Sequence, residues 1–127
     1  MNHFSSVQAY QNTGMITRVS EASPHQLILQ LFEGAIQSVR FAKACIQRND
    51  KVRKAQALSK AGAIVSELQK SLDLERGGEL AVRLEILYDF MVRTIFEANL
   101  NDDVIKLDDV VQTLSDLSAA WSQIKPN

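Results

Sequence analysis

The side chains capable of chemistry are few, and their spacing decides what they can do. Of the two histidines, His3 lies near the start of the chain and His25 at the head of a predicted helix. Neither follows a glutamate at the E-x-x-H spacing with which helical bundles hold di-iron centres. Cys45, the single cysteine, has no nearby histidine to activate it, and its place on an apolar flank suits a small core residue. Two pairs of adjacent acids, Asp102/Asp103 and Asp108/Asp109, suggest acid–base work only until geometry is considered. Neighbours on a helix point about 100° apart and need not share a site. The run "KVRK" at residues 51–54 is short and sits in a chain of balanced charge, and "RGGE" lacks the preceding strand of a phosphate-cradling loop. The expectation is a protein that is not an enzyme and holds neither metal nor cofactor.

The elements that carry these residues read as helices. A chain of 127 residues is one domain's length, and a net charge of −1 provides no field to draw nucleic acid. No stretch approaches the about 18 uninterrupted apolar residues of a membrane span, and no secretory signal is visible, so the expected compartment is the cytoplasm. Residues 1–21 lack a sustained apolar period and are expected to form a mobile N-terminal segment. Ser23, Pro24 and Gln26 then make an S-x-x-Q capping box with proline at the first helical position. The first helix should run to about Arg48, and Asp50 or Asn49 should cap a second that reaches Leu72. "ERGGE" should break the chain before a third helix over 79–98. Asn101 should cap a fourth, with Asp102 and Asp103 in its first turn and its end near Gln123. Short loops between long helices predict an all-α, antiparallel up-down-up-down four-helix bundle over 22–125.

Ile28, Phe32, Ala35, Val39, Ala42 and Ile46 alternate spacings of four and three, the mark of a packed seam. Leu27, Leu31, Phe41 and Cys45 fall on one flank of it, Leu29 and Ile36 on the other, so this helix carries about twice the apolar arc that one seam requires. The second helix offers Leu58, Ala61, Val65, Leu68 and Leu72, surrounded by the small residues Ala55, Ala57, Gly62 and Ala63. In the third, Leu80, Leu84, Leu87, Tyr88, Met91 and Ile95 can turn inward, while Ile86 and Phe96 project away and Phe90 lies at the edge. The fourth places Val104, Leu107, Val111, Leu114, Leu117 and Trp121 inside and Ile105 outside. Scattered exposed apolar residues are ordinary; apolar surface on several sides of one bundle invites a partner segment.

The stretches "SPHQLILQLFEGA", "LDLERGGELAVRLEILYDFMVRTIFEANLNDD" and "LSAAW", with an N-terminal "AYQ", together resemble the FliS family of flagellar secretion chaperones. Departures such as His25 and Gln30 are modest. The resemblance implies a cytosolic bundle that binds the disordered C-terminal segment of flagellin, prevents its premature polymerisation and supports delivery to a component of the flagellar type III export gate. It also implies that the client occupies grooves outside the bundle, and that the N-terminal segment covers part of them when no client is bound. Val7 and Tyr10 would share one face of such a lid if residues 5–12 became helical. The client-facing candidates are then Leu27, Leu31 and Phe41 on the first helix, Ile64 on the second, and Ile86, Phe90 and Phe96 on the third. A rival reading, a structural bundle whose apolar flanks make a homodimer, uses the same residues.

Overall fold

The computed structural model describes residues 23–124, and these form four helices: α1 Pro24–Gln47, α2 Lys51–Lys70, α3 Leu74–Asn101 and α4 Val104–Ser122. α1 packs on α2 and α4, and α3 packs on the same two, which closes a ring of four; α1 and α2 share the most extensive contact, α3 and α4 the least. Long-range side-chain bonds show the direction of each helix. His25, at the start of α1, meets Trp121, at the end of α4, and Lys54, at the start of α2, reaches Asn99, at the end of α3. Neighbours therefore run antiparallel, up-down-up-down, as the short loops require.

The helix starts follow local chemistry closely. Ser23 Oγ accepts from the Gln26 amide while Gln26 Oε1 accepts from the Ser23 amide, the reciprocal capping box. Asp50, Asp73 and Asp103 cap α2, α3 and α4 in the same manner, each accepting from the amide three residues on. Two expected boundaries move as a result. α2 ends at Lys70 rather than Leu72, because Asp73 already caps the next helix. The glycine pair breaks the chain as expected: Gly78, at φ 56° and ψ −136°, is non-helical and divides α3 into a single turn over 74–77 and the long helix that follows. Asn101 is the last residue of α3 rather than a cap of α4; Asp102 turns left-handed after it, and Asp103 takes the cap.

The core is a column of aliphatic side chains with Phe32, Tyr88 and Met91 among them. Leu58, Val65 and Leu68 of α2, Val39 and Ala42 of α1, and Leu107 and Leu114 of α4 all belong to this one cluster. Burial pushes the Tyr88 phenol up to about 12, so it stays neutral and serves as packing. One inward assignment needs correction: Leu80 is exposed, because residues 73–80 extend beyond the reach of α2 and no other described residue covers them. Val111 packs half-buried against the core as expected, and Val110 beside it is buried as well.

Polar ties close both ends of the bundle. At one end Lys54, with its side chain only 9% exposed, donates from Nζ to the Asn99 carbonyl at 2.9 Å and to Asp102 Oδ1 at 2.6 Å. A cation thus meets the unsatisfied carbonyl end of α3, where the helix dipole favours it. Lys43 pairs with Asp108 across α1 and α4 near the same end. At the other end Trp121 Nε1 donates to the His25 carbonyl and His25 Nε2 donates to the Trp121 carbonyl, each at 3.0 Å. Their rings stack with centroids 5.2 Å apart.

Lys54→Ala strands the Asn99 carbonyl and should lower the unfolding free energy by about 1–3 kcal/mol in urea titration. Asp102→Asn, which keeps a residue tolerant of the left-handed turn, should lower it by less. Two glycines should behave oppositely in the same assay. A methyl at Gly62 meets nothing within 4 Å, so Gly62→Ala should stabilise α2 by about 0.5–1 kcal/mol. Gly78→Ala should destabilise by about 1–3 kcal/mol, because its backbone conformation is costly for any other residue.

Candidate functional site

Among the described residues the distinctive feature is apolar side chains outside the core. α3 carries most of them. Val82, Ile86, Phe90, Phe96 and Leu100 are 45, 63, 57, 63 and 69% exposed. At about 100° per residue, Val82, Ile86, Phe96 and Leu100 fall within a narrow band directly opposite Met91 and Ala98, with Phe90 on its α4 side. The band runs about 27 Å, from Val82 to Leu100, at 1.5 Å per residue. Asp89 and Arg93 lie within it and pair with each other at 3.3 Å.

A second apolar surface follows the seam between α1 and α2. Phe41 is exposed and Leu27 half-buried on this side of α1. Leu31 and Ile64, expected among the client-facing side chains, are each 8% exposed and belong to the core cluster. That placement corrects the sequence reading. Their flank of the α1 seam is covered because α1 and α2 share the most extensive contact in the bundle. What remains open is a shallow depression: a methyl added at Gly34 would lie 3.4 Å from Ile64 Cδ1, so the missing side chain leaves space above that floor.

The structure thus separates the candidates. Ile86, Phe90 and Phe96 share one exposed face; Phe41 and Leu27 border another; Leu31 and Ile64 are structural. Val7 and Tyr10 lie outside the described residues. Val82 and Leu100 were not singled out by sequence reasoning, although their spacing to Ile86 and Phe96 continues the outward row. Cys45 is buried at 2% exposure. Among the described residues no group of three His, Cys, Asp or Glu side chains is arranged to hold a metal ion. No described helix is long and apolar enough to cross a membrane.

A rigid helical bundle whose unspent features are apolar outer faces belongs to the class of proteins that bind other chains. Comparison with known proteins makes the assignment specific: a family model described as flagellar protein FliS matches residues 6–127. A flagellar secretion chaperone FliS of Salmonella typhimurium is 42% identical over 123 residues, covering 96% of this chain and 91% of that one. The Vibrio cholerae chaperone of the same name is 39% identical, covering 95% and 89%, and that of Bacillus subtilis is 34% identical, covering 91% and 82%. The chain belongs to the FliS family of flagellar secretion chaperones, a family of chaperones and not of enzymes.

The inside–outside division is directly measurable. Leu31→Asp or Ile64→Asp buries an unpaired charge and should lower the unfolding free energy by about 3 kcal/mol or more. Phe96→Asp, on the exposed face, should lower it by about 1 kcal/mol or less. Equal losses in denaturant titration would contradict the division.

Proposed function

We propose that this protein is a cytosolic export chaperone whose client is the disordered C-terminal segment of flagellin. It keeps that segment from polymerising prematurely and supports its delivery to a component of the flagellar type III export gate. The observation that carries the reading is the apolar row on the outer side of α3, found in a chain of the FliS family. A disordered client pays an ordering cost on binding and must bury a large area, of order 1,000–3,000 Å², to be held. One compact pocket would not supply it. Two separated shallow surfaces would: the α3 row with Ile86, Phe90 and Phe96, and the α1 side with Leu27 and Phe41. Leu31 and Ile64 form the floor of the second rather than its contact surface.

The N-terminal segment, residues 1–21, acts in this reading as a removable cover over one of these surfaces, with Val7 and Tyr10 as its apolar contacts. It joins the bundle at Ser23, next to the His25–Trp121 clasp, so its displacement need not unravel α1. Some twenty extended residues, at about 3.3 Å each, reach about 66 Å, against about 42 Å for the 28 residues of α3, so either surface lies within range.

Titrating a flagellin C-terminal peptide into the full chain should give a one-to-one complex with more helical circular dichroism than the separate components. Phe96→Asp should weaken that complex by about tenfold or more while the protein remains folded. A spectrum equal to the sum of the parts, or an affinity unmoved by Phe96→Asp, contradicts the proposal.

A further inference from the structure

The outward row on α3 has a spacing that scattered apolar residues would not show. Val82, Ile86, Asp89, Arg93, Phe96 and Leu100 follow one another at intervals of four, three, four, three and four. This is the 3.5-residue repeat of a coiled-coil seam, and it lies on the side of α3 that no other helix of the bundle covers. The row is also symmetric about Met91: Val82 mirrors Leu100, Ile86 mirrors Phe96, and Asp89 mirrors Arg93.

We propose that in the absence of client a second copy of this chain covers this row, the two α3 helices packing antiparallel about a two-fold axis at Met91. In that arrangement Val82 layers on Leu100 of the second copy and Ile86 on its Phe96. Each Asp89 meets the other copy's Arg93. A parallel pairing would instead set Asp89 against Asp89 and Arg93 against Arg93, so the central charges select the antiparallel orientation and fix its register. The single-chain structure already pairs Asp89 with Arg93 at 3.3 Å, and both side chains are more than half exposed, at 58 and 66%. They can exchange that bond for the intermolecular one without disturbing the core. The two Phe90 side chains straddle the axis on the same face of the helix pair and shield the charged layer.

An interface built on one helix per copy stays small, at the low end of specific contacts, below about 1,200 Å² in total. It is therefore transient: strong enough to keep an apolar face from indiscriminate association, weak enough to yield to a client. The exchange with client rests on the function proposed above; the dimer itself does not.

Sedimentation velocity of the full chain without flagellin, over a concentration series, should show monomer passing into dimer. Arg93→Asp makes the central layer wholly acidic and Asp89→Arg makes it wholly basic, so each alone should weaken association by about tenfold or more. Mixing the two variants in equal amounts should restore a dimer, as should the double exchange D89R/R93D within one chain. Both positions are exposed, and circular dichroism serves to confirm that each variant is folded. A wild type that stays monomeric throughout, single variants that associate like wild type, or a mixture that fails to pair would overturn the inference. Peptide titration of the same samples is read separately: loss of peptide binding with a persistent dimer counts against the client assignment and leaves the interface standing.

Discussion

A helix in a closed ring of four can turn only one side inward, and α3 is apolar on two. Met91, Ile95 and Ala98 occupy the inward side and are almost completely buried. Ile86, Phe96 and Leu100 occupy the opposite side, and no arrangement of this ring could enclose both. Rotating α3 to hide the outer row would expose the inner one and empty the core. The exposed row is therefore a consequence of the closed bundle, and burying it requires a segment from outside the four helices. The hydrophobic effect that assembles the core supplies the driving force for that second burial as well.

Such a surface is useful only on a scaffold that does not rearrange to swallow it. The polar ties at the two ends serve that purpose. Lys54 joins the start of α2 to the end of α3, and the His25–Trp121 clasp joins the start of α1 to the end of α4. Lys54 satisfies a carbonyl that the end of α3 leaves open, and the clasp links the first helix to the last. Aspartate caps hold the intervening turns. A bundle fastened at both ends presents its outer faces preorganised, so a binding segment bears the ordering cost and the chaperone bears little.

The sequence made the helices legible because their signals are local. The capping box at Ser23 and the alternating seam from Ile28 to Ile46 depend on residues a turn apart, and both lead to the observed α1. The glycine pair reads as a break, and Gly78 does interrupt the helical backbone; what goes unread is the single turn before it, capped by Asp73. Lys54 stands in the short basic run at 51–54, with nothing in the sequence to single it out. Its burial depends on the end of α3, which only the fold brings to it. Leu31 and Ile64 shared an apolar flank with genuinely exposed residues, and helical angle alone does not reveal how closely two helices approach. Phe96 and Ile86 were readable because they oppose the core directly, where no uncertainty of packing can bring them inside.

The claim on which this account depends is that partner binding buries apolar surface left outside the core. Calorimetry at several temperatures, with the flagellin C-terminal segment titrated into the full chain, measures that burial through the heat-capacity change. The account predicts a strongly negative value, the mark of apolar surface leaving water. A binding heat that does not vary with temperature would mean that polar contacts hold the complex, and would contradict it.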